Sequence, residues 1–306
     1  MCAVDIIICT RNRGWLIQPL LANLEGQSLQ PRMVVIVDSS DEPYAHTSDS
    51  CGLPTVLLLS AVQSLAHQRN VGLEYVFAST SPPDFVAFLD DDVFPSQNYL
   101  EDLTGFLVSH PETCVGCSGV DGHARRHRSL CARLYLRLSG LDTPKQGKVL
   151  RTGFNSAVLS IGNPVLVEWI FGCSVWRSQA IRGAKFRGDF RESSLGEDVE
   201  FSYRARSRGD LYVLPSVRLT HSLEEVGRDS GFLHGYRLIR SRKEIARLTT
   251  WSKLSTLFWL WGALGQASVF LLGAMRNGSE HRMESRRAAW GAFLGIAEAL
   301  VGKSMR

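Results

Sequence analysis

The chain has 306 residues, of which 44% are hydrophobic and 21% charged, with a formal net charge of +4. This length and composition fit one large α/β domain with an appendage, or two ordinary domains, and exclude a disordered or low-complexity chain. So small a net charge gives no ground for nucleic-acid binding, and where the charge lies matters more than its total.

The opening run has no basic residue ahead of it and is interrupted by Asp5, so it reads as a first strand and not as a secretory signal. Val4 to Thr10, Met33 to Asp38, Thr55 to Ser60 and Phe85 to Leu89 are short runs rich in Val, Ile and Leu, as expected of strands buried on both faces. Trp15 to Leu24, Leu65 to Ala78 and Tyr99 to Val108 space their apolar residues by three and four, the pattern of helices with one buried face. Alternating strands and helices predict a mostly parallel sheet with helices on both faces. Ligands of such sheets bind beyond the carboxyl ends of the strands. The polar residues there are Cys9-Thr10-Arg11-Asn12-Arg13, Val37-Asp38-Ser39-Ser40-Asp41 and Phe88-Leu89-Asp90-Asp91-Asp92.

The cysteines number seven, an odd count without a disulfide-framework spacing, which points to a reducing compartment. Cys114 and Cys117 have no second pair to complete a zinc site and read as small core residues of a strand. From about residue 114 to Leu150 the pattern is irregular, and the stretch up to Arg177 suggests short strands between turns. Gly196-Glu197-Asp198 then opens a helix from Val199 to Arg208 with Gly209 as its cap, and Leu211 to Leu214 and Val217 to Thr220 read as strands before His221.

Ser255 to Met275 carries no charge and is just long enough to cross a hydrocarbon core. Gln266, three glycines and basic residues on both sides favour a helical hairpin, with Ala288 to Val301, lying in a membrane interface. Arg237, Arg240, Arg242, Lys243, Arg247 and Lys253 before it, and Arg276, Arg282, Arg286 and Arg287 after it, suggest an anionic membrane surface. Trp251, Trp259, Trp261 and Trp290 would be its interfacial aromatics; core helices packed on the main domain are the alternative. Asn277-Gly278-Ser279 reads as a turn.

Three consecutive carboxylates repel one another unless a cation neutralises them, and hard oxygen ligands suit Mg²⁺ or Mn²⁺. Taken alone, Asp90, Asp91 and Asp92 also fit a solvated acidic turn. Further along come Leu65-Ala66-His67-Gln68-Arg69-Asn70-Val71-Gly72, Trp169-Ile170-Phe171-Gly172-Cys173, Gly196-Glu197-Asp198 and His221.

With Cys9 to Arg13 and Val37 to Ser40, this ordered set resembles family 2 glycosyltransferases over roughly residues 3 to 225. The resemblance implies a GT-A fold, a Rossmann-like mostly parallel sheet flanked by helices, here followed by a membrane-associated helical hairpin. It divides the chain into a glycosyltransferase domain at 1–230, with a nucleotide-sugar half (1–114) and an acceptor half (115–230), and a basic linker with C-terminal helices at 231–306.

The same resemblance implies roles by position. Thr10, Arg13, Asp38, Arg69, Asp90 and Asp91 would hold the nucleotide sugar. Asp92 and His221 would bind the metal, Mn²⁺ or Mg²⁺, with the division of labour among the three aspartates left open. Asp198 would be the catalytic base, and Trp169 and Glu197 would meet the acceptor. Gln68 replaces the alanine of the family's A-R-N-x-G pattern. Arg69 also fits a helix-surface ion pair, His221 a lone histidine, and Asp198 an ordinary helix cap.

The implied activity is inverting transfer of a sugar, from a UDP- or dTDP-sugar by preference, to a hydroxyl of a saccharide or lipid-linked saccharide in cell-surface polysaccharide synthesis. The implied setting is the cytoplasmic face of a membrane, peripheral or monotopic, with no nucleic-acid partner. The alternatives are transfer to a polyprenyl phosphate and a catalytically silent membrane-docked assembly partner.

Overall fold

The computed structural model describes residues 2–44, 52–121, 129–159, 162–188, 195–222, 230–249, 254–276 and 278–303. Trp251, Lys253 and Asn277 therefore lie outside the described residues.

The chain forms two compact units that do not follow chain order. The first comprises Met1–Ala124, Val158–Gly188 and Phe201–Gly227, the second Arg125–Ala157, Asp189–Glu200 and Arg228–Arg306. This division differs from a cut at residue 230, because segments from the middle of the chain cluster with the C-terminal helices.

The first unit is built on one sheet. Strands β1 (Val4–Thr10), β2 (Met33–Asp38), β3 (Thr55–Leu59) and β4 (Phe85–Asp90) are followed by β5 (Val93–Pro95), β6 (Cys114–Asp121), β7 (Val165–Val167), β8 (Ser174–Arg177) and β9 (Asp210–His221). Their order is β3-β2-β1-β4-β8-β6-β9-β5, with β7 also on β9. β3, β2, β1 and β4 are parallel, whereas β8 lies antiparallel between β4 and β6. Helices α1 (Ile17–Glu25) and α3 (Tyr99–Ser109) cover one face, and α2 (Leu65–Ala78) and α5 (Ser178–Ile181) the other.

β1 is buried throughout, including Asp5, which would cost several kcal/mol uncompensated. Arg32 meets it with two parallel bonds, Nε to Oδ1 at 2.8 Å and Nη2 to Oδ2 at 2.6 Å, the bidentate geometry that repays desolvation.

The two strands expected at 211–214 and 217–220 are one. Between the pairs Ser118 with Val213 and Val120 with Arg218, β6 advances two residues while β9 advances five. Pro215, which has no N–H to give to a ladder, lies inside that bulge. Helix α6 (Glu197–Ala205) starts two residues earlier than its apolar pattern suggests and ends in a 3₁₀ turn at Arg206–Arg208.

In the second unit, α4 (Leu130–Leu138) arises within the stretch that looked irregular, and α7 (Gly231–Thr249), α8 (Leu254–Arg276) and α9 (Ser279–Leu300) pack together. Their core is small-sided: Ala246, Ala263, Ala267, Ala292 and Ala299 surround Ile239 and Trp259. A Cβ on Gly262 would sit 2.8 Å from Thr152 Cβ, and one on Gly265 2.6 Å from Ser139 Cβ. These glycines of α8 thus serve close packing of the 139–152 segment.

Two expectations about the C-terminus need correction. Trp259 is fully buried and donates its indole N–H to Ile239 O at 2.9 Å, so it is a core residue and not an interfacial one. The cations of α7 do not form an exposed patch: Arg237 and Arg240 are buried, and Arg240 and Lys243 donate to the backbone carbonyls of Lys303 and Ala299. They cap the C-terminal end of α9, where unpaired carbonyls and the helix dipole favour positive charge.

Candidate active site

β1 and β4 are neighbours, while β2 and β3 extend the sheet the other way, so the order reverses between them. That crevice is where open α/β sheets bind ligands. Cys9 pairs with Asp90 in the ladder, which sets Thr10 beside the acidic run.

The three aspartates separate into two roles. Asp91 turns inward and is 1% exposed. Its Oδ2 accepts from Thr10 Oγ1 at 2.7 Å and from Arg13 Nε at 3.2 Å, and its Oδ1 pairs closely with Arg13 Nη2. Burial raises the Asp91 carboxyl to about 7; the Arg13 cation and Thr10 hydroxyl pull it down, and Asp92 and Asp90 push it up.

Asp90 and Asp92 are half-buried and gather with His221, their ligand atoms all within 4.8 Å of one another. The β5–β9 pairing, which sets His221 opposite Val93, brings the histidine to the end of the acidic run. His221 Nδ1 is buried and lies 3.2 Å from Asp121 Oδ2. A histidine ring nitrogen and two carboxylates gathered in this way are a donor set that suits a divalent cation. Arg13 Nη1 also reaches Asp92 Oδ2 at 3.0 Å.

Arg69 is not a helix-surface residue. It is 2% exposed, donates from Nη2 to Asp90 Oδ1 at 3.1 Å, and lies with its guanidinium carbon 5.3 Å from the Phe186 ring centroid and 5.8 Å from that of Phe88. A Cβ on Gly172 would come within 2.6 Å of Arg69 Nη2, so glycine is what lets the 169–173 segment approach the pair. The inner face of α2 thus buries Gln68 and Arg69 beside Ala66, Leu73 and Val76.

Asp38 is buried and shapes the loop after β2. Its Oδ1 accepts from Ser40 N at 2.8 Å and its Oδ2 from Tyr44 N at 2.7 Å. Asn12, in the left-handed region at φ 54°, exchanges side-chain and backbone bonds with Asp41 and so ties that loop to the end of β1. The result is an open depression lined by Asn12, Trp15, Ser40, Asp41, Glu42 and Tyr44, with Trp15 half exposed. Trp169 is half-buried in the first unit.

Glu197 and Asp198 lie in the second unit, at the start of α6. Glu197 is buried, and Asp198 Oδ1 accepts from Val199 N at 2.7 Å. Arg242 of α7 carries the compensating charge. Its Nη1 donates to Asn155 Oδ1 at 2.8 Å, and its Nε is buried without a hydrogen-bond partner among the described residues. Burial lowers the guanidinium to about 10, while Asp198 and Glu197 hold it up.

Sequence reading missed three residues here. Gln68, read only as a departure from a pattern, donates to Thr10 O at 2.8 Å and Val37 O at 2.7 Å, joining the ends of β1 and β2. Asp121 beside His221 and Arg242 beside Asp198 had no local signal, since each reaches its partner across the fold.

The fold is that of GT-A glycosyltransferases, and the carboxylate–histidine cluster lies at the switch point of its sheet. Residues 5–156 match the family described as Glycosyl transferase family 2, and the chain carries a domain of that family.

Solved structures share the fold, among them the following three. The mannosyltransferase PcManGT from Pyrobaculum calidifontis, in complex with GDP-Man and Mn²⁺, is 15% identical with a TM-score of 0.56, over 96% of this chain and 87% of that one. GalNAc-T7 with UDP, GalNAc and Mn²⁺ is 13% identical with a TM-score of 0.58, over 98% and 57%. S. aureus TarS is 15% identical with a TM-score of 0.50, over 97% and 50%, so this chain spans about half of TarS. No curated protein matches the chain by sequence.

Proposed function

We propose that the protein transfers a sugar, with inversion, from a nucleoside-diphosphate sugar to a hydroxyl of a saccharide or lipid-linked saccharide, using Mn²⁺ or Mg²⁺. The observation that carries this reading is the convergence of Asp90, Asp92 and His221 at the β1/β4 switch point. The GDP-Man and Mn²⁺ of PcManGT, and the UDP, GalNAc and Mn²⁺ of GalNAc-T7, proteins of the same fold, support it.

Asp90, Asp92 and His221 hold the cation, which when bound stabilises charge on the departing diphosphate. Thr10 and Arg13 fix Asp91, and Arg69 fixes Asp90, so in this reading they orient the carboxylates more than they touch the donor. The depression beside Asp38, with Trp15 and Tyr44, takes the nucleobase. Asp198 removes the proton of the acceptor hydroxyl as that oxygen attacks the anomeric carbon, general-base help worth about 10²–10⁴-fold. The helix N-terminus and Arg242 keep it ionised. Glu197 and Trp169 bind the acceptor. The apolar α8, the one described helix long and apolar enough to cross a membrane, supports a lipid-linked acceptor and a membrane-surface location.

The test is release of nucleotide from a panel of UDP-, dTDP- and GDP-sugars with Mn²⁺ or Mg²⁺. Release should stop with a chelator and in Asp92→Asn and Asp198→Asn. Release indifferent to all three would refute the reading.

A further inference from the structure

With Arg237, Arg240 and Lys243 of α7 folded inward, the membrane surface foreseen from sequence keeps only part of its charge, on the exposed Arg247, Arg282, Arg286 and Arg287. Helix α4 adds two more arginines beside an apolar stripe. Leu130, Leu134 and Leu138, at successive spacings of four, are 74%, 58% and 67% exposed, and Arg133 and Arg137 are exposed on the same helix. A solvated helix presents its polar side to water; α4 presents leucines flanked by arginines, the arrangement of a helix lying in a lipid interface.

α4 is also fixed against α8. Tyr135 Oη donates to Gly265 O at 3.1 Å and Trp261 Nε1 donates to Leu138 O at 2.9 Å. Trp261 is itself more than half exposed, and Leu257 and Leu264 continue its exposed stripe along α8, whose core-facing positions are Trp259, Ala263 and Ala267. Most of the large apolar side chains of α8 thus point outward, with alanines inward. A patch of this extent is not expected on a protein surrounded by water.

We propose that α4 and the outer stripe of α8 form one docking face for an anionic lipid bilayer, with leucines in the acyl boundary and Arg133 and Arg137 on lipid phosphates. The proposal rests on the membrane-surface location suggested above and names the surface responsible. Charge complementarity selects the occupant: arginines at the edge of an apolar stripe favour anionic headgroups over neutral lipid.

The experiment uses the full chain with vesicles of phosphatidylcholine, with and without phosphatidylglycerol, read by co-sedimentation. In a Cys2→Ser, Cys51→Ser background, a polarity-sensitive fluorophore on the exposed Cys131 reports immersion of α4 itself. Removing α8 and α9 would destroy the core of the unit, so point variants are used. Arg133→Gln with Arg137→Gln should weaken binding to the anionic vesicles by roughly thirtyfold, about fivefold per arginine. Leu134→Ser with Leu257→Ser should abolish it with unchanged circular dichroism.

The label should shift to the blue only with anionic vesicles. If the protein binds these vesicles but the label and the arginine variant show no change, α4 is not part of the face, and the proposal fails while the membrane-surface location stands. If no vesicle is bound, both fail. If light scattering shows an oligomer that the leucine variant dissociates, the face joins copies of the chain and the proposal is overturned.

Discussion

Thr10 Oγ1 donates to Asp91 Oδ2 at 2.7 Å, across a gap of 81 residues in the chain. This bond decides which of three adjacent carboxylates is structural. With Arg13 on the same carboxyl, it draws Asp91 into the protein and leaves Asp90 and Asp92 to face His221. Thr10→Val keeps the shape and removes the donor, leaving a buried carboxylate oxygen short of a partner. The expected cost is about 1–3 kcal/mol in chemical unfolding; a change below a few tenths would show that Thr10 does not hold Asp91.

The metal reading separates the aspartates in the opposite way. Asp92→Asn and His221→Ala should each weaken Mn²⁺ binding more than about tenfold by calorimetry while leaving the fold intact. Asp91→Asn should weaken it less and act mainly on stability. An equal effect of all three would mean that the inward carboxylate also binds the ion.

Arg69 is held by charge and by two aromatic rings. Arg69→Lys keeps the charge but loses the planar stacking and the directional bond to Asp90. Nucleotide release should fall by at least about tenfold, since a misplacement near 1 Å at a reacting group can cost about 10²-fold. Arg69→Met should fall further and lower the melting temperature, because it leaves Asp90 without its buried cation. Lysine restoring full turnover would show that charge alone is needed.

Arg242 tests the second unit. Arg242→Met should shift the acid limb of the pH–rate profile upward, because Asp198 and Glu197 lose the cation that favours their ionised forms. Arg242→Lys should return part of that shift. A fall in rate with an unmoved pH profile would make Arg242 a packing residue.

The cysteines give a prediction on reactivity. Burial raises the Cys114 thiol to about 11 and Cys117 well above its usual value. A raised thiol stays protonated at pH 8, so neither should react with iodoacetamide in the native protein, whereas the exposed Cys131 should. Fast labelling of Cys114 or Cys117 without unfolding would contradict their place in β6.

By itself the sequence determined the first four strands and the helices between and after them, because a strand buried on both faces, as β1, β2 and β4 are, leaves a continuous apolar run and a helix with one buried face a periodic one; that β3 lies half-buried at the sheet edge, with Leu59 exposed, it did not show. It also located the acidic run and the carboxylate pair at Glu197 and Asp198, because those residues are adjacent in the chain. Helix α4 escaped it: at nine residues, set between irregular stretches, its leucine stripe is too short to stand out. The tertiary structure alone decided which aspartate turns inward, that Arg69 is buried against Asp90, and that the α7 cations cap α9 instead of facing solvent. Each of these depends on a partner between about twenty and eighty residues away, and burial and pairing at that distance leave no mark on local composition.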